Sequence, residues 1–72
     1  MDPVYTTADL GKVIRAERKR QQLTQTDLAE VCGVSLSFIS NLENGKSTAE
    51  LGKTLKVVQT LGLNLTLSRR GE

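Results

Sequence analysis

The sequence predicts an all-α fold, a small bundle of four helices followed by one short β-strand. Three observations support this prediction. Apolar residues recur at three- and four-residue spacing, residues that cap or end helices separate these segments, and near the end the apolar spacing changes to two. A chain of 72 residues is long enough for one domain, so we expect a single domain over residues 1–72.

The first helix is expected to begin near Thr6 or Thr7, because the hydroxyl group of either residue can cap it. Leu10, Val13 and Ile14 follow at helical spacing and form its apolar face. The basic residues that come after them suit a helix end, where cations complement the helix dipole.

The next segment predicts two short helices joined by a tight turn. The second helix is expected over residues 25–31, and Gly33 is the residue that can adopt the left-handed conformation of a turn. Ser35 then caps a third helix over residues 36–43. Such a pair of helices with a Gly-containing turn is a helix-turn-helix, here over about residues 24–43.

The fourth helix and the strand complete the predicted fold. Ser47 and Glu50 have the spacing of a capping box at the start of the helix, and Gly62 ends it. Leucines then alternate with polar residues, which predicts a strand over about residues 63–68. Its apolar face consists of Leu63, Leu65 and Leu67. Because one strand needs a partner, we expect it to pair with its copy in a second subunit, with the leucines facing the helices.

Composition excludes several classes of function. The chain has no His and one Cys, Cys32, which rules out a disulfide framework, a Cys/His zinc site and His-based catalysis. Its carboxylates are scattered over caps and surface, so we expect no enzyme activity, no metal, no cofactor and no small-molecule substrate. Cys32 is expected to be a buried core thiol.

Charge and hydropathy indicate a binding protein of the cytoplasm. The net charge is +2 with a pI near 9.0, a mildly basic balance that favours nucleic acid as a partner. No apolar run approaches the roughly 20 residues of a membrane span. The N-terminal segment, with Asp2 and Pro3, lacks the pattern of a signal peptide.

The helix-turn-helix segment resembles a known family. The stretch LTQTDLAEVCGVSLSFISNLENGK over residues 23–46 is similar to the Cro/cI (XRE) family, and the resemblance covers roughly residues 8–61. It implies a lambda repressor-like bundle and a sequence-specific DNA-binding transcriptional repressor. Gln22 departs from the family pattern, which more often has Gly or Asn, so the loop after the first helix is expected to take a different path.

The C-terminal stretch indicates which members of the Cro/cI family the chain resembles most. The sequence LGLNLTLSRR over residues 61–70 looks like the strand ending of HipB-type antitoxins, which pair these strands across a homodimer and act with a HipA-type kinase toxin. The resemblance therefore implies an autoregulating antitoxin. Two alternatives remain: a stand-alone prophage or restriction-modification controller-type regulator of the same fold, and a protein-interaction module that inhibits a toxin without binding DNA.

The resemblance also implies roles for single residues. The third helix would enter the major groove of a pseudo-palindromic operator and present short side chains to base edges. The expected base contacts are Leu36, Ser37, Ser40 and Asn41. The expected phosphate contacts are Thr24, Gln25, Asn44, Lys46 and Lys53. A buried structural ion pair is expected between Arg18 and Glu43.

Some of these positions have a second interpretation. The serines and Asn41 could be ordinary solvated helix surface, Leu36 could belong to a partner or dimer contact, and Lys46 could be a solvated loop charge. Phe38 is expected to pack at the edge of the domain, with contact to the DNA backbone as the alternative. No Arg or Lys lies between Thr24 and Gly45, so the usual guanine-reading side chains are absent and we predict an A·T-leaning or shape-assisted site.

Overall fold

Four helices follow one another in the computed structural model, which describes residues 3–71. They are α1 (Thr7–Arg20), α2 (Gln25–Cys32), α3 (Leu36–Glu43) and α4 (Leu51–Thr60). The helix α1 packs against α3, and α2 packs against both α3 and α4. The predicted all-α bundle is confirmed, and no described helix is long and apolar enough to cross a membrane.

Side-chain caps define where the first two helices begin. Thr6 and Thr24 each accept a hydrogen bond from the backbone N–H three residues on, and the aspartates at those positions accept from the cap backbone in return. Both capping boxes satisfy N–H groups that a helix start leaves without partners. These backbone N–H donors, from Tyr5 and Thr6 to Asp9 and from Thr24 to Asp27, lower the pKa of both carboxyls from the usual value of an aspartate.

The fourth helix begins later than the sequence predicts. Glu50 itself is the N-cap of α4, and its carboxylate accepts from the backbone N–H groups of Gly52 and Lys53 at 3.0 and 3.2 Å. The capping box that the spacing of Ser47 and Glu50 predicts is therefore wrong. Because Glu50 bonds forward into the helix, Ser47 lies in the preceding turn.

The core is aliphatic, as the scarcity of aromatic residues requires. Its buried apolar members are Ile14, Leu28, Ala29, Cys32, Ile39, Leu42, Val57, Val58 and Leu61. Cys32 is fully enclosed among them, which confirms the prediction of a buried thiol. Close packing of such side chains fixes how α3 lies against α2.

Glycines permit a close approach between α1 and the end of α3. A Cβ atom on Gly11 would lie 2.5 Å from the backbone oxygen of Glu43, and one on Gly45 would lie 2.8 Å from the Cα of Ala8. The hydroxyl of Thr7 also donates to the backbone oxygen of Gly45 at 2.7 Å. These contacts hold the loop after α3 against the first turn of α1.

The loop between α1 and α2 contains a strained residue. Gln22 has a φ of 61°, in the left-handed region that glycine and asparagine occupy more readily. Gln22 therefore adopts the backbone conformation that a Gly or Asn would supply at that position. A Gln side chain in this conformation carries backbone strain that a Gly or Asn would lower.

The C-terminal segment differs from the prediction. Residues 63–69 have no regular secondary structure, and no β-strand occurs within residues 3–71. Leu63 packs against the core, whereas Leu65 and Leu67 are 58% and 89% exposed in the single chain. That all three leucines face the helices is expected of a strand paired across a dimer, and it stays a prediction. A strand ladder needs a second strand, and the described part of this chain supplies none.

Two contacts show how the segment runs. The side-chain amide of Gln21, just after α1, donates to the backbone oxygen of Leu61 at 2.8 Å. At the other end, the Arg70 guanidinium lies 5.6 Å from the ring centroid of Tyr5, just before α1. The segment therefore passes from the end of α1 back to its start, with two leucines left uncovered.

Candidate nucleic-acid interface

The turn between α2 and α3 sets the angle of the third helix. Gly33 has a φ of 69°, the left-handed conformation that the sequence predicts, and the backbone N–H of Val34 returns to the oxygen of Ala29 at 3.0 Å. Ser35 then caps α3 by accepting from the N–H of Phe38 at 3.0 Å. Two capped helices with a tight turn make the predicted helix-turn-helix, and α3 is its second helix.

The core contacts of α3 determine which of its side chains are exposed and can contact a partner. Ile39 and Leu42 are 0% and 4% exposed and hold the helix to the core. The opposite face carries the four predicted base-contacting residues, Leu36, Ser37, Ser40 and Asn41. Ser37 and Asn41 are exposed, Leu36 is half-exposed and Ser40 is half-buried. The structure thus gathers all four on one face of α3.

Phe38 packs against the core edge beside this face, as predicted. The ammonium group of Lys53 lies over its ring, 5.9 Å from the centroid, in a cation–π arrangement. The contact joins the start of α4 to the first half of α3. The ammonium group of Lys53 is therefore engaged by an aromatic ring in the free chain.

A buried ion pair joins α1 to the end of α3. The Arg18 Nε and Nη2 groups donate to the two carboxylate oxygens of Glu43 at 2.6 and 2.9 Å, and Nη1 donates to the backbone oxygen of Leu23 at 2.8 Å. The side chains of Arg18 and Glu43 are only 9% and 2% exposed. The hydrogen bond from Arg18 to Glu43 raises the pKa of the guanidinium, so Arg18 stays charged.

The same carboxylate holds the first side chain of α2. The Gln25 amide donates through Nε2 to Glu43 Oε1 at 3.2 Å. Gln25 is half-buried at the start of α2, and Asn44 caps the end of α3 beside Glu43. A polar cleft is formed here by Arg15, Arg18, Gln25, Glu43 and Asn44.

The cleft contains two of the five predicted phosphate contacts, Gln25 and Asn44. Thr24 precedes Gln25 in the sequence but does not line the cleft, and its hydroxyl accepts a hydrogen bond from the backbone N–H of Asp27. Lys46 is exposed in the following loop and is not part of the cleft wall, and Lys53 lies over Phe38. The structure therefore brings together part of the predicted set.

Two features of the cleft are not predicted from the sequence: Arg15, and the hydrogen bond between Gln25 and Glu43. Arg15 lies one turn before Arg18 on α1, and its exposed side chain lines the cleft. The three-residue spacing of the two arginines puts them on neighbouring parts of the helix surface, which is the signal that could have indicated Arg15.

Comparison with known proteins agrees with this geometry. The family described as Helix-turn-helix (HTH_3) matches residues 14–67. The chain belongs to this helix-turn-helix family. A curated relative, the uncharacterised HTH-type transcriptional regulator y4mF of Sinorhizobium fredii, is 49% identical over 96% of this chain and 91% of its own length. The chain is a helix-turn-helix transcriptional regulator.

Two further comparisons show a similarity to HipB antitoxins. The antitoxin HipB of Escherichia coli (strain K12) is 31% identical over 89% of this chain and 73% of its own length. A chain of the solved "HipB-O4 20mer complex" superposes with a TM-score of 0.88 at 28% identity, over 97% of this chain and 99% of that one. The resemblance to HipB-type proteins is confirmed for sequence and for fold.

Replacing Arg18 by Ala should destabilise this helix-turn-helix protein by about 3–5 kcal/mol, because the buried Glu43 carboxylate loses its two charged hydrogen bonds. Urea unfolding measures the change. Arg20→Ala is the matched control, since it breaks an ion pair with Glu17 whose arginine is largely exposed, and it should change the unfolding midpoint little.

A double replacement tests whether the loss comes from the uncompensated charge. Arg18→Met combined with Glu43→Leu removes both charges and should recover much of the stability lost in either single variant. A double variant no more stable than the single variants would argue against the ion pair as the cause.

Proposed function

We propose that the chain is a homodimeric repressor that binds a pseudo-palindromic DNA operator, and that it acts as the autoregulating antitoxin of a HipA-type kinase toxin. The observation that carries the DNA-binding part is the exposed polar face of α3, held outward by its buried apolar face. An α-helix fits the major groove of B-DNA, and the second helix of this motif is the one that enters it.

Base reading is assigned to short side chains. Asn41 can make two hydrogen bonds to adenine, Ser37 and Ser40 can bond to several bases, and Leu36 can contact a thymine methyl group. No cation is available for guanine on this segment, since Arg and Lys are absent between Thr24 and Gly45. We therefore propose an operator rich in A·T pairs or recognised partly by its shape.

Backbone contacts are assigned to the residues around the two helix ends. Gln25 and Asn44 share the polar cleft, and Lys46 is exposed in the loop after α3. Thr24 lies at the start of α2, where backbone N–H groups favour a phosphate. Lys53 contacts Phe38 in the free chain, so its ammonium would have to leave the ring to contact a phosphate.

Two substitutions should separate base reading from backbone contact. Lys46→Ala should reduce the slope of log affinity against log salt by about one unit and leave sequence preference intact. Asn41→Ala should leave the salt slope unchanged and relax the sequence preference at one base pair, at a cost of about 1–3 kcal/mol of binding free energy for the preferred site.

Footprinting supplies the operator, and titrations at several salt concentrations measure both effects. An unchanged slope for Lys46→Ala would remove Lys46 from the interface.

Dimerisation is assigned to the C-terminal segment. Leu65 and Leu67 are large apolar side chains left exposed in the single chain, and they alternate with polar residues. A second copy would supply the missing strand and cover them, since exposed apolar area of this kind is buried on association. Two α3 helices would then meet half-sites about 34 Å or a multiple of that apart.

Removing the segment after Gly62 should abolish the dimer in sedimentation equilibrium. Because this also removes Leu63 from the core edge, the double variant Leu65→Lys and Leu67→Lys is the sharper test, as both side chains are exposed in the single chain. The control variant Asn64→Lys and Thr66→Lys changes the other face of the strand and should stay dimeric. A dimeric truncated chain or a dimeric leucine variant would contradict the assignment.

The antitoxin role is supported by the relatives. HipB of E. coli is an antitoxin, and one solved chain of similar fold, with a TM-score of 0.88, belongs to a "HipA-HipB-O2-O3 complex". The second candidate is a stand-alone regulator, favoured by 29% identity over 88% of this chain to the ImmF control region 10 kDa protein of Bacillus phage phi105.

Co-expression with the product of the adjacent gene distinguishes these candidates. For an antitoxin, a kinase-like neighbour should arrest growth alone, and this chain should relieve the arrest and co-purify with the kinase. A chain that binds its operator but neither relieves arrest nor co-purifies would be a stand-alone regulator. Relief of arrest without operator binding would indicate a toxin inhibitor that does not act on DNA.

A further inference from the structure

We propose that the polar cleft between α1, α2 and the end of α3 holds one phosphodiester of duplex DNA, with Arg15 as its charged ligand and Glu43 as the residue that orients Gln25. The inference rests on the proposed DNA binding and specifies one site of it. It adds Arg15 to the interface and gives Glu43 a role beyond the fold.

The charges around the cleft leave one positive charge for a ligand. Arg18 and Glu43 neutralise each other through two hydrogen bonds of 2.6 and 2.9 Å, and the remaining arm of Arg18 is bonded to Leu23. Within residues 3–71, Arg15 makes neither an ion pair nor a side-chain hydrogen bond. A phosphodiester carries one negative charge, so it matches the charge that the cleft leaves unused.

The Gln25 amide is held with a defined orientation. Both carboxylate oxygens of Glu43 accept from Arg18, and the group of Gln25 that faces Oε1 at 3.2 Å is the donating NH2 group. One amide hydrogen is used in this bond and the other is free to donate. Without Glu43, the amide could rotate and present its oxygen to the phosphate, which would repel it.

The Glu43 carboxylate does not itself repel the anion strongly, because Arg18 compensates its charge and its side chain is only 2% exposed. Asn44 follows Glu43 at the exposed end of α3 and can add a neutral donor from the other side of the cleft. The arrangement therefore offers one guanidinium and two amides to the oxygens of a single phosphate, a charge-assisted set of hydrogen bonds.

Duplexes with one neutral methylphosphonate at each backbone position of the operator test the site. With the wild-type protein, neutralising one phosphate per half-site should weaken binding by about tenfold, the loss of one charged hydrogen-bond set. Arg15→Ala should weaken binding to the unmodified operator by a similar factor and lower the salt slope by about one unit. At that one phosphate the further loss on neutralisation should then be clearly smaller than with the wild-type protein, because only the two amide donors remain.

Lys12→Ala is the matched control, because Lys12 is an exposed cation one turn earlier on α1 and lines a different groove. This variant should keep the full effect of the methylphosphonate. If Arg15→Ala also keeps the full effect at every position, the cleft does not hold the phosphate and the inference is wrong, while the proposed DNA binding stands. Absence of operator binding by the wild-type chain would overturn both.

The orienting role of Glu43 is measured in the free wild-type protein, since substitutions of Glu43 also weaken the fold. Nitrogen-15 relaxation of the side-chain amides should show the Gln25 NH2 group as rigid as the backbone and that of Gln59, an exposed residue of α4, as mobile. Equal mobility of the two amides would remove Glu43 as a positioning residue.

Discussion

The ion pair between Arg18 and Glu43 connects three parts of the chain that are distant in sequence. It ties the last turns of α1 to the end of α3, and its third hydrogen bond, to the Leu23 oxygen, fixes the loop that leads into α2. Burying two charges is costly unless each is paired and hydrogen-bonded, and here every buried side-chain nitrogen and oxygen of the described residues has a partner. The angle of the helix-turn-helix against α1 depends on this pair.

The close backbone contacts at Gly11 and Gly45 also hold α1 against the end of α3. Because α1 touches the backbone at the end of α3, the charged side chains meet over a short distance and exclude water. A small aliphatic core then suffices, since the polar network and the helix caps specify the arrangement that leucine, isoleucine and valine alone would leave less defined. The core, the ion pair and the caps use the inner face of α3, so only its outer face stays exposed to solvent.

Local chemistry made most of the fold predictable from the sequence. Thr24, Gly33 and Ser35 act through their immediate neighbours, so the helix-turn-helix could be predicted with its ends within one residue. Glu50 was harder, because one carboxylate can either complete a capping box or be the cap itself. The predicted strand needs a neighbouring strand for its backbone hydrogen bonds. The described residues of one chain supply none, so the segment that contains Leu65 and Leu67 stays irregular in the single chain. The cleft needs α1 and α3 to meet, so Arg15 has no signature within its own helix beyond its spacing from Arg18.

A single oxygen atom has two functions in this structure. Glu43 Oε1 accepts from Arg18, which holds the fold together, and from Gln25, which lies at the proposed DNA surface. Any substitution of Glu43 therefore alters stability and affinity together, and selection cannot adjust one without the other. Divergence of this regulator toward new operators is expected to use α3 positions such as Ser37 and Asn41, whose side chains are exposed and free to vary. Evolutionary change in specificity would thus be confined to a surface that the fold does not need.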